Sequence, residues 1–176
     1  MAEPIKVAAR EGEGLAEFVK ASYPAVWRLC AAMAGEASAD DLAQDTFLRA
    51  ARALPSFRGD AQLRTWVLAI ARRACMDELR SRYRRERRDR ELAAIAVPAA
   101  AQHVGDGVAT TQLLAQLDPE RRMAFVLTQM IGLTYEEAAS VCCCPTGTIR
   151  SRVARARGDL VALLGAGPAS KRSARS

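Results

Sequence analysis

Apolar residues recur at helical spacing along most of the chain. From Leu15 to Cys30 they form one stripe, which Pro24 interrupts, so either a kinked helix or two shorter pieces is expected there. Similar stripes run over residues 42–50 and 63–74. Helical spacing dominates and aromatic residues make up only 5% of the sequence, so strands should be scarce. We therefore predict an all-α protein.

Helix starts are marked by polar capping residues. Ser38 precedes an acidic first turn that contains Asp41, and Asp60 precedes the stripe that begins at residue 63. Asp118 is followed by Pro119, which suits the first position of a helix. These signals predict helix starts near residues 39, 61 and 119.

The stretch from Thr134 to Arg157 predicts two helices separated by a tight turn. Thr134 and Glu137 have the spacing of a capping box. Cys143, Cys144 and Pro145 should end that helix, because proline lacks an amide donor and disfavours helical geometry in the residue before it. A second helix is expected to open near Thr146.

The second helix of this pair has one apolar and one polar face. Its apolar stripe consists of Ile149, Val153, Ala156 and Leu160. The opposite face carries Thr148, Ser151 and Arg155, with further arginines beside the stripe. Hydroxyl and guanidinium groups suit the base edges and phosphates of a DNA major groove. A solvated, arginine-rich surface helix is the alternative for such a pattern.

Composition divides the chain into two predicted helical domains joined by a flexible linker. Residues 1–14 should form a disordered N-terminus, residues 15–90 one domain, and residues 110–164 a second domain that contains the helix-turn-helix. Residues 91–109 shift to alanine, valine and glycine and are interpreted as the linker. Residues 165–176 should form a disordered tail.

Charge indicates a polyanionic partner. The net charge is +6, and among the 26 basic residues only Lys6, Lys20 and Lys171 are lysines. Arginine suits phosphate because its planar fork can bond two oxygens. Nine arginines fall between Arg72 and Arg90, with Tyr83 among them, which suits phosphates and unpaired bases or simply a solvated helix end. Charge alone does not separate nucleic acid from acidic lipid.

Motifs for catalysis or for a cofactor are missing from the sequence. There is no phosphate-binding glycine loop, no His-Glu-x-x-His and no Gly-x-Ser-x-Gly, and His103 is the one histidine. The contiguous run Cys142, Cys143 and Cys144 lacks the spacing of a zinc site and is interpreted as small, half-buried apolar residues. We expect neither enzyme activity, nor a cofactor, nor a bound metal.

The sequence also lacks membrane and secretion signals. No apolar run approaches the ~20 residues that span a bilayer, and residues 1–14 lack the apolar core of a signal peptide. We expect a cytoplasmic protein, where five cysteines would not form a disulfide framework.

Three motifs together resemble bacterial RNA polymerase sigma factors of the extracytoplasmic-function type, which belong to the sigma-70 family. They are Asp-Asp-Leu-Ala-Gln-Asp-Thr-Phe-Leu-Arg-Ala at 40–50, Phe-Arg-Gly-Asp-x-x-x-x-Thr-Trp at 57–66, and Cys-Pro-Thr-Gly-Thr-Ile-Arg-Ser-Arg-Val-Ala-Arg-Ala-Arg at 144–157. The likeness covers both predicted domains in order. It implies a factor that binds core RNA polymerase and promoter DNA to direct transcription initiation, often under the control of an anti-sigma protein.

The resemblance implies three groups of site residues. The region that docks on the clamp helices of the polymerase corresponds to Asp41, Gln44, Asp45 and Phe47. Spacing alone would favour dipole complementation for the acidic residues in this group. The minus-ten element would be held by Arg58, Asp60, Arg64, Trp66, Arg72, Arg73 and Arg80. The minus-thirty-five element would be read by Thr148, Arg150, Ser151, Arg152, Arg155 and Arg157.

Two positions depart from the family pattern. Cys143 stands where the turn usually has glycine, so a left-handed backbone there would be strained unless the turn adopts another geometry. Arg73 stands where many members have asparagine, which leaves the recognised minus-ten base open. A free-standing helix-turn-helix regulator that does not engage polymerase is the main alternative function, and a metal-dependent nuclease or hydrolase is a third.

Overall fold

The computed structural model describes residues 12–57, 59, 62–93 and 106–165. This part of the chain is helical and contains no strand, which confirms the all-α prediction. The α-helices are α1 (Gly12–Ala34), α2 (Ala39–Ala53), α3 (Leu63–Ala93), α4 (Asp106–Ala115), α5 (Pro119–Phe125), α6 (Tyr135–Cys142) and α7 (Thr146–Gly165). Short 3₁₀ turns cover Glu36–Ser38 and Leu54–Ser56, and Val126–Met130 forms a π-helical stretch. None of the helices in the described ranges is long and apolar enough to cross a membrane.

Helix α1 runs through Pro24 without a break. Of the two expected alternatives, the division into two shorter pieces is therefore wrong, and the helix also begins three residues before the predicted start at Leu15. One side of α1 packs against α2 and α3, with Val26, Leu29 and Met33 almost completely buried. This packing holds the helix together across the one hydrogen bond that proline cannot make.

The turn before α2 departs from its expected capping. Ser38 occupies the N-cap position, but its side chain makes no capping hydrogen bond. Its hydroxyl instead accepts a hydrogen bond from Arg82 Nη2 at 2.6 Å. Arg82 also donates to the carbonyl of Ala34 and pairs with Glu78 at 2.7 Å, which lowers the pKa of Glu78. Arg82 thus ties the cationic half of α3 to the connection between α1 and α2.

In the C-terminal domain the predicted caps are confirmed. Asp118 accepts hydrogen bonds from the amides of Glu120 and Arg121, and Thr134 and Glu137 form the capping box. Gly132 has a φ of 80° between the π-helical stretch and this cap. The core of the domain is formed by apolar side chains from α5, the π-helical stretch, α6 and α7, among them Met123, Leu127, Val141, Ile149 and Val153.

Helix extends into both ends of the predicted linker. Helix α3 continues to Ala93 and α4 already begins at Asp106, so these parts of the range 91–109 are not linker. Ion pairs one helical turn apart, such as Arg87 with Glu91 at 2.8 Å, support the end of α3. The remaining linker and His103 lie outside the described residues.

The two domains pack directly on each other. Helix α6 lies against α3, and α4 lies against α1. Buried apolar residues of both domains join in one continuous cluster. Arg122, which is buried in the C-terminal domain, donates a hydrogen bond to the carbonyl of Met33 in the N-terminal domain at 2.9 Å.

The cysteines differ strongly in exposure. Cys30, Cys75 and Cys142 are buried, Cys144 is half-buried and Cys143 is exposed, and all of them are free thiols. The sulfur atoms of Cys75 and Cys30 are 3.8 Å apart. The contact with Cys30, together with burial, raises the pKa of Cys75. Burial raises the pKa of Cys142 from 9.0 to about 11.

We expect the folded protein to react rapidly with a thiol reagent only at Cys143, more slowly at Cys144, and at the buried thiols only after unfolding. The protonated Cys142 thiol contributes stability that is complete below pH 9.0 and is lost as the pH rises through about 11. Stopped-flow thiol titration at mildly alkaline pH, with Cys143→Ser as control, tests this order. A fast phase that persists in Cys143→Ser would contradict it.

Candidate nucleic-acid interface

The turn between α6 and α7 contains a cysteine whose own backbone is in the left-handed conformation. Cys143 has φ 52° and ψ 47°, and no other residue except glycine has a positive φ in the part of the chain that the structure describes. Its amide donates to the carbonyl of Ser140 at 3.2 Å, and the amide of Cys144 donates to Ala139 at 3.1 Å. Of the two alternatives for this turn, the left-handed backbone is therefore the one present, and it sets the angle at which α7 leaves the turn.

Helix α7 buries its predicted stripe and exposes its predicted polar face. Ile149, Val153 and Ala156 are buried and Leu160 is half-buried. On the surface lie Arg150, Ser151, Arg155 and Arg157, with Thr148 half-buried. Arg157 also donates a hydrogen bond to Gln129 Oε1 at 2.7 Å. Since three exposed guanidinium groups project from this helix, its surface suits the phosphates and base edges of duplex DNA.

Arg152 is the exception on α7. Its side chain is half-buried, and Nη1 lies 3.0 Å from Glu120 Oε2 of α5. Nη1 also contacts the sulfur of Cys144 at 3.8 Å. In this arrangement Arg152 faces the rest of the protein, so its assignment to the DNA-reading face is not supported. Spacing along the helix predicted that Arg152 lies beside the apolar stripe, but it could not predict that Glu120 of another helix would lie next to Arg152.

On α3, the residues that the resemblance assigned to the minus-ten element have different environments. Arg73 and Arg80 are exposed, and Arg80 lies 3.4 Å from Asp77. Trp66 is half-buried and its ring packs against Phe57 with centroids 5.0 Å apart. Arg58 and Asp60 lie outside the described residues. Trp66, Arg73 and Arg80 follow one another at intervals of seven residues, which places them on one side of the first half of α3.

Two further arginines of α3 contact the C-terminal domain. Arg64 Nη2 donates to the carbonyl of Ile131 at 2.8 Å, although much of the side chain remains exposed. Arg72 Nη2 lies 3.5 Å from Glu120 Oε1. Residues assigned from the sequence to DNA are therefore engaged within the protein.

Helix α2 presents an acidic outer face. Asp41 and Gln44 are exposed, and Asp45 is half-buried in an ion pair with Arg49 at 2.7 Å. Phe47 does not belong to this face, because its ring packs between Tyr23 at 6.1 Å and Phe18 at 6.4 Å. In this structure Phe47 is half-buried beneath the outer face, and its assignment to the docking surface stays a prediction.

Leu48 is the residue that the sequence analysis missed on this face. Its relative exposure is 52%, unusual for a leucine. It follows Asp41 by seven residues and Gln44 by four, which places all three on one side of the helix. This spacing was the signal in the sequence from which the position of Leu48 on the outer face could have been predicted. The outer face of α2 therefore combines acidic groups with an exposed apolar side chain.

No group of histidine, cysteine, aspartate or glutamate side chains able to hold a metal ion occurs among the described residues. Within these ranges, neighbouring cysteines of the run 142–144 also have different environments, since Cys142 is buried and Cys143 is exposed.

Two family models match this chain. Residues 18–85 match sigma-70 region 2, and residues 108–160 match sigma-70 region 4. The first range covers most of α1–α3, and the second runs from α4 into α7.

Similar curated proteins are sigma factors. The chain is 45% identical over 161 residues to the ECF RNA polymerase sigma factor SigC of Mycobacterium tuberculosis, covering 90% of this chain and 87% of the relative. It is 34% identical over 159 residues to the ECF RNA polymerase sigma factor EcfG of Rhodopseudomonas palustris, covering 86% of both chains.

Two similar solved structures are complexes of two proteins. CnrH in complex with the cytosolic domain of CnrY matches with a TM-score of 0.74 at 25% identity, covering 95% of this chain and 99% of that one. The sigma factor RpoE in complex with the anti-sigma factor NepR from Bartonella quintana matches with a TM-score of 0.67 at 29% identity, covering 86% and 97%.

The backbone of the turn gives a stability prediction. A residue other than glycine costs ~1–2 kcal/mol in the left-handed region, and Cys143→Gly removes this cost. Glycine also raises the entropy of the unfolded chain, which offsets part of the gain, so the variant should be more stable by about 0.5–1 kcal/mol. Ser140→Gly, an exposed change inside α6, is the control and should destabilise by about 0.5 kcal/mol. Urea unfolding measures both. A destabilised Cys143→Gly protein would show that the cysteine side chain itself supports the turn.

Proposed function

We propose how this chain works from one premise: it belongs to the sigma-70 family, and within that family to the extracytoplasmic-function type. It is a sigma factor that binds core RNA polymerase and directs promoter-specific transcription initiation. The finer assignment concerns which surfaces do so. In our proposal, α2 docks on polymerase, α3 with the preceding loop holds the minus-ten element, and α7 reads the minus-thirty-five element.

The observation that carries the proposal is the exposed face of α7. Arg150, Ser151 and Arg155 project from one side of a helix whose other side is buried. Helix α6 and its left-handed turn precede this helix, as in a helix-turn-helix that enters a major groove. We retain Thr148 and Arg157 as flanking contacts. Arg152 is excluded because it pairs with Glu120.

The minus-ten surface is supported by the surroundings of Trp66. The Phe57–Trp66 pair supplies aromatic surface on which an unpaired base can stack. Exposed Arg73 and Arg80 supply positive charge for the phosphates beside it. We include Arg64 and Arg72 in the same surface once they are released from the C-terminal domain.

The docking surface for polymerase is the outer face of α2. Asp41 and Gln44 are exposed around Leu48, so an apolar centre has a polar and acidic rim. Such a face fits a basic surface with an apolar depression. Phe47 supports this face from inside, since it fixes α2 on α1.

The factor would act by binding and without chemistry of its own. It would act in the cytoplasm, where bacterial polymerase and chromosome are found. An anti-sigma protein is a further proposed partner, because the neighbouring RpoE structure is a complex with the anti-sigma factor NepR.

The decisive experiment is transcription with purified core polymerase. Genome-wide mapping of polymerase occupancy with and without the protein supplies candidate promoters, and each is then transcribed in vitro. We expect transcripts that require this protein. DNA binding without any stimulated transcription would instead support a free-standing helix-turn-helix regulator.

Replacing Arg155 by alanine should weaken binding to the upstream promoter element by ~1–3 kcal/mol, since a base contact is lost. The discrimination between intact and altered upstream elements should fall with it. Arg87→Ala, an exposed arginine of α3 paired with Glu91, is the control and should leave discrimination unchanged. Competition binding on duplex promoter DNA measures both, and unaltered discrimination in Arg155→Ala would refute its reading role.

Reversing one charge on α2 tests the docking surface. Asp41→Arg should weaken association with core polymerase about tenfold, because an attractive charge becomes repulsive. Glu17→Arg makes the same change at an exposed site on α1 and should have little effect. Affinity is measured by surface immobilisation of polymerase, and circular dichroism checks helical content. Equal losses in the two variants would mean that overall charge, and not this face, controls association.

A further inference from the structure

We propose that Gln129 is a positioning residue for promoter DNA, which holds the guanidinium group of Arg157 ready for a phosphate beside the minus-thirty-five element. The inference rests on the proposed flanking contact of Arg157. It adds to the DNA-binding surface a residue that lies outside the helix-turn-helix, in the π-helical stretch before α6.

The π-helical stretch Val126–Met130 brings Gln129 to the surface beside α7. The amide of Ile131 donates to the carbonyl of Val126, five residues earlier, at 3.0 Å. Such wide turns are rare in proteins and often occur at functional sites. The three residues before Gln129 are buried, whereas Gln129 itself is exposed. The stretch therefore places one polar side chain at the surface next to a buried run, within reach of α7.

The side chain of Gln129 is anchored at its amide nitrogen. Nε2 donates to Oγ1 of Thr128 at 2.9 Å, and this hydroxyl donates in turn to the carbonyl of Ala124 at 2.8 Å. Since a hydroxyl has one proton and Thr128 uses it toward the backbone, its Oγ1 can only accept from Gln129. The amide nitrogen of Gln129 therefore faces Thr128, and the amide oxygen faces α7.

The amide oxygen of Gln129 holds Arg157. Nη2 of Arg157 donates to Oε1 at 2.7 Å, while the arginine side chain stays exposed. A guanidinium group has five N–H donors, so one bond to Gln129 leaves others for a phosphate. An amide is uncharged, so it leaves the positive charge of Arg157 intact. Arg152 differs in both respects, because it is half-buried and pairs with the carboxylate of Glu120.

This hydrogen-bond chain should strengthen the contact with DNA. An unrestrained arginine side chain has many rotamers and loses this freedom when it binds a phosphate. The bond to Gln129 restricts the guanidinium group already in the free protein, so less freedom is lost on binding. The chain from Ala124 through Thr128 and Gln129 thus connects the core of the domain to the proposed phosphate contact of Arg157.

The test measures binding of the full chain to duplex DNA. The probe is a fluorescein-labelled duplex of roughly 20 base pairs that carries the upstream element of a promoter from the occupancy map. Gln129→Met keeps the length of the side chain but removes both hydrogen-bonding groups, and it should weaken binding about three- to fivefold. Gln116→Met makes the same change at an exposed site before α5 and should leave the affinity unchanged.

A double-mutant cycle separates positioning from a direct DNA contact. Arg157→Ala should weaken binding about tenfold and lower the salt dependence by about one phosphate contact. Gln129→Met should leave the salt dependence unchanged, because the charge of Arg157 remains. In the Arg157→Ala background, Gln129→Met should have no further effect on affinity.

A charged variant tests the importance of a neutral partner. Gln129→Glu keeps an oxygen that accepts from Arg157 but forms an ion pair that competes with the phosphate. It should therefore weaken binding more than Gln129→Met and also lower the salt dependence. Gln116→Glu adds the same charge at the exposed control site and should have a smaller effect.

A further readout follows Arg157 without DNA. In the unaltered protein, the Hη protons of Arg157 should show slow rotation of the guanidinium group by NMR. Gln129→Met should make this rotation fast, whereas a merely structural role of Gln129 would leave it unchanged. Thermal unfolding confirms that each variant is folded.

The outcomes distinguish this proposal from the proposed function. A loss of affinity in Gln129→Met that persists in the Arg157→Ala background would show that Gln129 contacts DNA itself and would overturn the positioning role. Equal affinities of Gln129→Met and the unaltered protein would overturn it as well. Unchanged binding by Arg157→Ala would remove the flanking contact and this proposal with it, while Arg155→Ala reports separately on base reading.

Discussion

A buried guanidinium joins the two domains. Arg122 donates to Met33 of the N-terminal domain and to Ala115 and Leu117 of its own domain, so its charge is solvated by carbonyl groups. Burial lowers the pKa of Arg122, and the negative charge of Asp118 opposes part of this shift. Such a group is costly to bury unless it is hydrogen-bonded, and the Met33 carbonyl would lose its partner if the domains separated without water replacing Arg122. This side chain therefore supports the contact of α1 with α5 beside the apolar cluster that both domains share.

The surfaces that we propose on α2, α3 and α7 differ in how far the contact between the domains leaves them exposed. The acidic face of α2 and the polar face of α7 both point to solvent. The face of α3 that we propose for the minus-ten element is partly used by the C-terminal domain through Arg64 and Arg72. The face of α2 that we propose for polymerase makes no such contact in the described residues, since Asp41, Gln44 and Leu48 are exposed.

Patterns local in sequence were the ones predicted correctly. The capping box of Thr134, the Asp118 cap and the apolar stripe of α7 depend on residues three or four positions apart, and the structure contains all three. The family pattern left two geometries open for the turn at Cys143, and the structure has the left-handed one. The expected Ser38 cap was wrong because of a distant partner, since the Ser38 hydroxyl accepts a hydrogen bond from Arg82. A distant partner also decides where the Phe47 ring lies, because it stacks on Tyr23.

The sequence by itself determined the helical class, the two domains, the helix-turn-helix and the helix faces on which the proposed binding residues lie. Periodicity and capping encode these features locally, and the motif order identifies the family. Only the tertiary structure decided which of those residues are available. Arg152 and Arg72 have the same chemistry as Arg155 and Arg73, yet they meet Glu120, a residue distant in sequence from Arg72 and on a different helix from either. Ion pairs between helices depend on how the domains pack, and no spacing along one helix contains that information.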